Sequence, residues 1–334
     1  MILLTGATGF VGKALVTYLL SKAFDIKALV RQSYVALPFA VEQVVVGDLA
    51  ELALDGSSSF LREAFKDVDV VVHTAARAHV MNDDASDPLT EFRKVNRDAT
   101  LVLARLAAEF GVKRFVFLSS IKVNGEMTRP GLPFTPDDVH VPDDPYGLSK
   151  NEAEQGLLAL AQETGMEVVI IRPPLVYGPG VKANFASMIK WIGRSIPLPF
   201  GAIHNQRSLV ALDNLVSFIN LCVDREKSPK AANQVFLISD GEDVSTTQLL
   251  RKVGQALNHH TPSGIKAWLV PIPVFIMTFV AKLLGKGAVA NRLFGSLQVD
   301  SSKARDLLGW KPVITMDEQL KKTVDAYFEN EKTI

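Results

Sequence analysis

Cysteine is all but missing from this chain of 334 residues: Cys222 stands alone, so no intrachain disulfide can form. A single thiol fits a reducing, cytoplasmic compartment and a fold held by its core rather than by cross-links. Its place in the run Phe218-Ile219-Asn220-Leu221-Cys222-Val223 marks it as a small buried hydrophobe. An excess of either charge is missing too. Lys+Arg and Asp+Glu both number 36, and such a balance argues against a surface built for nucleic acid. No hydrophobic run is long enough for a membrane span, which needs ~20 residues. The most apolar stretch, 267–281, is broken by Pro271 and Pro273. The segment after Pro273 reads as one short helix ended by Gly285, buried or facing a partner, with contact to a membrane surface as the alternative. A secretory leader is not expected, because Met1 runs straight into Ile2-Leu3-Leu4 and glycine arrives at position 6. Histidines do not cluster with metal-ligand spacing, so no metal is expected. His73 ends an apolar strand and reads as structural, and His259-His260 as part of a loop. Internal repeats, low-complexity tracts and long linkers are absent from the pattern.

Against these absences stands an ordinary globular composition, 48% hydrophobic and 22% charged, over a length that suits two domains. Apolar runs alternate with helically spaced segments through the first half. Strands are predicted at 1–5, 26–30, 43–46, 68–73, 114–119 and 167–171, and helices at 10–20, 61–65, 88–110 and 146–163. Continuous apolar strands separated by helices mean a parallel sheet covered on both faces. The expected fold class is therefore α/β, a Rossmann-type doubly wound parallel sheet with a smaller mixed C-terminal substrate lobe. The rhythm breaks after Arg172-Pro173-Pro174. That places a dinucleotide-binding domain at 1–172, with 209–223 returning to it, and the substrate lobe at 173–334.

Two motifs carry chemistry. Thr5-Gly6-Ala7-Thr8-Gly9-Phe10-Val11-Gly12 lies between the first strand and the first helix. There the glycines permit a tight turn and close approach of backbone to pyrophosphate, and the helix N-terminus offers free N–H groups and a positive dipole end. The second motif is Tyr146-Gly147-Leu148-Ser149-Lys150, whose tyrosine and lysine share one helix face. A phenol titrates near pH 10, too high for a base at neutral pH, and a nearby ammonium favours the phenolate. Ser120 lies just past the C-terminal end of the 114–119 strand, where ligands bind in parallel sheets, and suits polarisation of the same substrate oxygen. The second strand ends Val30-Arg31-Gln32 with no acidic neighbour. Arg31 there favours NADP(H) over NAD(H), since arginine accommodates a 2′-phosphate. Asp48, after Gly47, is placed to reach the adenine amino group.

On these residues the chain resembles the extended short-chain dehydrogenase/reductase superfamily over nearly its whole length, and within it the UDP-glucose 4-epimerase-like epimerase/dehydratase group. The resemblance implies that Gly6, Gly9 and Gly12 form the phosphate loop and that Ser120, Tyr146 and Lys150 are the catalytic set, with Lys150 also on the nicotinamide ribose. Thr8, Phe10, Val11, Arg31, Asp48, Leu49, Ala75, Ala76, Asn96 and Pro173 complete the cofactor contacts it implies. Asn184 and Arg207 match positions that hold a UDP-sugar diphosphate, Arg292 is a second arginine for it, and His79 borders the substrate. A UDP-sugar as small-molecule substrate and a homodimer paired through the helix that begins at Tyr146 are further implications.

Departures from the group's pattern rank the reactions. Sugar 4,6-dehydratases carry an Asp-Glu pair just after the catalytic hydroxyl, where this chain has Ile121-Lys122. Dehydration is disfavoured, and hydride chemistry at sugar C4 remains. Asn124 stands where the epimerases have tyrosine, and with Arg31 it tilts the reading to a UDP-4-keto-6-deoxy-hexosamine 4-reductase. A UDP-glucose or UDP-N-acetylglucosamine 4-epimerase is the alternative. Reduction of a steroid- or flavonoid-like ketone and a non-enzymatic cofactor-binding regulator are the more distant ones.

Overall fold

The computed structural model describes residues 1–51, 59–78, 87–182, 184–258, 267–283, 285 and 287–332. Its main sheet has seven strands, all parallel. Chain order gives β1 (Ile2–Thr5), β2 (Ile26–Val30), β3 (Val41–Val45), β4 (Val70–His73), β5 (Arg114–Leu118), β6 (Glu167–Arg172), β7 (Leu175–Tyr177), β8 (Arg207–Ala211), β9 (Gln234–Leu237) and β10 (Asp243–Val244). The main sheet runs β3-β2-β1-β4-β5-β6-β9, and β10-β8-β7 form a small mixed sheet.

Strand side chains alternate faces, and here both faces are apolar. Ile2 and Leu4 enter one core with Ile26, Ala28, Val30, Val70, Val72, Val116, Val169 and Ile171. Leu3, Leu29, Val71, Phe115, Phe117, Val168 and Ile170 enter the other. This period-two division across uninterrupted apolar strands is what a sheet with helices on both sides requires.

The helices are α1 (Phe10–Ser21), α2 (Ser59–Phe65), α3 (Pro88–Arg93), α4 (Ala99–Glu109), α5 (Pro145–Thr164), α6 (Asn184–Gly193), α7 (Leu212–Val223), α8 (Thr246–Leu257), α9 (Val274–Leu283), α10 (Gly287–Phe294), α11 (Ser302–Leu308) and α12 (Met316–Lys332). Helix α5 is bounded by the signals its sequence carries. Asp144 caps it by accepting from Gly147 N at 3.1 Å, Pro145 opens the first turn, and Gly165 ends it at φ +75°.

Three expectations change. The helix expected at 88–110 is interrupted by a π turn, Lys94–Asp98, between α3 and α4. That turn buries the Asn96 side chain, which bonds backbone outside its own helix. The expected boundary at 172 is crossed in more than one place. Helix α7 joins the core beside α1, within the 209–223 stretch expected to return, but β9, from the expected substrate lobe, also pairs with β6 in the main sheet. Ala304 and Trp310 pack into that core as well, Trp310 edge-on to Phe218 at 5.2 Å. The strand residues 209–211 sit instead in the small sheet. Finally, no residue of α9 is buried, which removes the buried-helix reading.

The C-terminal lobe has its own core, in which Tyr177, Phe185, Ile189, Leu209, Leu250, Val253 and Leu320 meet. Segment 296–300 stitches the two parts together. Ser208 N donates to Leu297 O (2.8 Å) on one side, and Phe134 N donates to Gln298 O (2.9 Å) on the other.

Candidate active site

The strand order reverses between β1 and β4, the switch point where ligands of open parallel sheets bind in the crevice outside the C-terminal strand ends. The glycine loop follows β1 at this point. Gly6 has φ +74°, and a Cβ there would fall 2.7 Å from Ala75 N; one on Gly12 would fall 2.0 Å from Gly6 O. Both contacts are with backbone, so neither can be relieved by turning a side chain. Gly12→Ala is therefore expected to lose dinucleotide binding and to lower the thermal midpoint, as equilibrium dialysis and a melt would show. Gly9 caps α1 without any side-chain hydrogen bond, and the first turn holds no acidic residue. Such a terminus, with Lys13 N the first amide bonded back to Gly9 O, suits a pyrophosphate.

Tyr146 and Lys150 are held by helix α5. Lys150 is 1% exposed; its Nζ donates to Leu118 O at 3.0 Å and lies 4.3 Å from the Phe117 ring centroid. Burial pulls its pKa down from 10.5 to about 7, against an opposing pull from Glu154. Tyr146 bonds Ser120 through its phenol, and burial pushes its pKa up to about 12 despite that bond. The expectation that Lys150 draws the phenol down is not met. Desolvation outweighs every charge acting on Tyr146, and the one nearby charge that acts, Asp144, opposes ionisation. Ser120 also receives Lys122 N at 3.3 Å as it opens the 3-10 turn Ile121–Val123.

A second layer fixes this geometry. Asn96 Oδ1 accepts from Arg77 N (2.9 Å), while its Nδ2 donates to Arg77 O (3.1 Å) and to Ser149 Oγ (3.0 Å). The loop after β4 is thereby tied to the helix turn bearing Tyr146. His73 is fully enclosed: Thr5 Oγ1 lies 2.8 Å from Nδ1 and Thr100 Oγ1 3.0 Å from Nε2. Because the Thr100 hydroxyl donates to Asn96 O, it receives Nε2–H, and Thr5 donates to Nδ1. Neutral imidazole satisfies both bonds; burial first, then the Lys150 charge, lowers the His73 pKa to about 3.

Sequence reasoning missed one cluster. Arg172 and Glu154, both nearly buried, pair through Nε (3.0 Å) and Nη2, and Arg172 Nη1 donates to Asn124 Oδ1 at 3.0 Å. Ser119 Oγ donates to the same Glu154. Asn124 thus faces this ion pair, with its Nδ2 on Thr135 O (2.7 Å). Glu154 lies one turn after Lys150, a spacing visible in the sequence, but its partners come from β6 and beyond β5.

Other expected contacts are spread over the crevice and the lobe. Arg31 is exposed at the end of β2, and Asp48 is exposed with its carboxylate on Ala50 N at 2.9 Å. Thr8 and Ala76 are exposed, and Phe10, Val11, Leu49 and Ala75 half-buried around the crevice. Ala75 N donates to Thr5 Oγ1, and the buried Pro173 accepts from Ile121 N (3.0 Å) through its carbonyl. Arg207, on β8, donates to Gly295 O at 3.0 Å, and burial lowers its pKa from the usual value. Asn184 opens α6 and Arg292 lies within α10. His79 falls outside the described residues.

The model of the NAD dependent epimerase/dehydratase family matches residues 2–238, well over half of the chain. The chain belongs to this family. It is 49% identical over 332 residues to a UDP-glucose 4-epimerase from Vibrio cholerae, covering 98% of this chain and 95% of that protein. A crystal structure of UDP-glucose 4-epimerase with UDP-glucose from Thermotoga maritima superposes with a TM-score of 0.76, at 24% identity and 99% coverage of both chains. UDP-glucuronic acid 4-epimerase from Bacillus cereus, in complex with NAD, gives 0.74 at 20% identity over 98% of this chain and 99% of that one. These two likenesses establish the fold. For an NAD-dependent epimerase/dehydratase, the preference for NADP drawn from Arg31 has no support, and the ranking of reductase over epimerase reverses.

Proposed function

We propose that this enzyme is an NAD-dependent 4-epimerase of UDP-glucose or UDP-N-acetylglucosamine. The observation that carries the reading is the Ser120–Tyr146–Lys150 cluster at the C-terminal end of β5, beside a glycine loop open to a dinucleotide. The 49% identity to a UDP-glucose 4-epimerase supports the substrate class. Gly6, Gly9 and Gly12 would hold the pyrophosphate, with Asp48 and Leu49 at the adenine and Lys150 at the nicotinamide ribose. The bound dinucleotide supplies reversible hydride transfer. Tyr146 acts as the phenolate: once ionised it takes the proton from the sugar O4 and later returns it, Ser120 shares that hydrogen bond, and Asn96 holds the α5 turn in register. Lys122, turned to Glu126 and Asp144, and buried Ile121 provide no acid–base pair of the kind dehydration needs.

Arg207 anchors the diphosphate in this reading, because a guanidinium partly stripped of water gains most from a dianionic partner. Arg207→Ala should raise KM for UDP-glucose by about 10–100-fold, the equivalent of one or two charge-assisted hydrogen bonds, and change kcat much less. The deciding assay mixes purified protein with UDP-glucose and no added cofactor. Formation of UDP-galactose, with NAD released on denaturation, supports the epimerase. Stoichiometric oxidation of NADPH by a UDP-4-keto-6-deoxy-hexosamine, without epimerisation, would replace it with the reductase.

A further inference from the structure

Helix α9 has two apolar faces. Val274, Met277, Thr278 and Ala281 recur at helical spacing and are half-buried. Phe275, Ile276, Phe279, Val280 and Leu283 form the opposite face, and all five are exposed, Phe275 by 73% and Leu283 by 72%. A surface helix normally turns charge to that side. A few residues before α9, backbone pairing gathers a second apolar group: Leu198 N donates to Trp268 O, and Ile196 N to Trp191 O. Exposed Trp191, Ile196 and Trp268 therefore lie in the same part of the lobe.

The charge these segments carry is of one sign, since stretches 178–212 and 244–299 contain no Asp or Glu. Lys190 and Arg194, on either side of Trp191, are exposed, and so is Lys282 on α9 itself. Arg207 turns inward to Gly295 O, and Lys252 is paired with Glu242 and Asp317, so neither adds to this face. This asymmetry selects among occupants. A twofold contact between two copies would set one basic face against another, whereas an anionic lipid surface attracts it. The ten residues of α9 make ~15 Å of helix, about half the hydrocarbon thickness of a bilayer, so it can lie in the interface but not cross it. Apolar side chains plus basic charge are the two signals that stable surface binding needs, and tryptophan favours the same boundary.

We propose that α9, together with Trp268 and the exposed Lys190, Arg194 and Lys282, docks the protein on an anionic lipid bilayer. Arg207 is tied to this part of the lobe, since α10 follows α9 and ends beside Gly295, whose carbonyl receives Arg207. Docking is independent of which sugar the enzyme takes.

The test is co-sedimentation with vesicles of phosphatidylcholine alone and of phosphatidylcholine with about a third phosphatidylglycerol, run at low and high salt. The full chain should bind the anionic vesicles, more strongly at low salt. A Phe275→Ser/Phe279→Ser variant, with its melt and gel-filtration volume unchanged, should bind at least about tenfold less, because each ring loses its burial in the acyl boundary. Lys282→Glu should weaken binding to anionic vesicles only. The proposal is overturned if the full chain stays in the supernatant, binds both compositions equally, or binds no better than the double variant. It is overturned also if that variant turns a dimer into a monomer by sedimentation equilibrium, which would assign the face to a second copy.

Discussion

Lys150→Met should abolish turnover and leave the protein more stable at pH 6 than its parent. In the fold Lys150 titrates at about 7, against 10.5 for an ordinary lysine. Below pH 7 both folded and unfolded chains carry the proton, and the folded state bears the full cost of a buried ammonium. Between pH 7 and 10.5 the unfolded chain binds more protons than the folded one, so stability rises with pH. Above that window both forms are neutral and the cost is gone. Methionine removes the charge at similar volume, leaves Leu118 O without its donor, and should still gain on the order of a few kcal/mol at pH 6. Melts at pH 6, 8 and 10 should show parent and variant converging as pH rises; parallel curves would contradict burial as the cause. Turnover should fall by about 10²–10⁴, the usual worth of acid–base chemistry, and Tyr146→Phe should lose as much without the gain in stability. A site that costs stability to hold its ammonium is the expected trade between activity and stability.

The second large effect is on the fold. Glu154→Ala should lower stability by about 3–5 kcal/mol, because it leaves the Arg172 guanidinium buried without its counter-charge. Arg172 would keep Asn124 Oδ1 at 3.0 Å, which satisfies one of its donors and neutralises nothing. Ser119, beside Ser120, would lose its acceptor in the same step. Urea denaturation would report the change as a lower midpoint at constant slope. Glu91→Ala, which breaks the exposed Lys94–Glu91 pair, should leave the midpoint where it is. Replacing Glu154 and Arg172 together by apolar residues should recover much of the loss, since the remaining charge disappears with its partner.

Much of the architecture was legible because its causes are local. Uninterrupted apolar strands separated by helical spacing leave a parallel sheet as the arrangement that buries both faces, and β1, β2, β4, β5 and β6 obey that pattern. Gly6, Gly9 and Gly12 were recognisable because a turn this tight tolerates no Cβ, and Tyr146 with Lys150 because four residues set one helix face. Capping at Asp144 and Gly165 is likewise written in the chain.

Other features depend on residues far apart in sequence. Strand β9 looks no different from a lobe strand until it meets β6. The π turn at Lys94–Asp98 exists with Asn96 engaged on Arg77, and Asn124 faces Arg172 because β6 and α5 bring an ion pair beneath it. The charge on Lys150 and the proton on Tyr146 are decided by how much water the assembled core excludes, and no spacing of residues encodes that. Residues near in sequence determined the strands, the glycine turn and the tyrosine–lysine helix face, whereas burial, which sums over neighbours from every element, was decided by the tertiary structure alone.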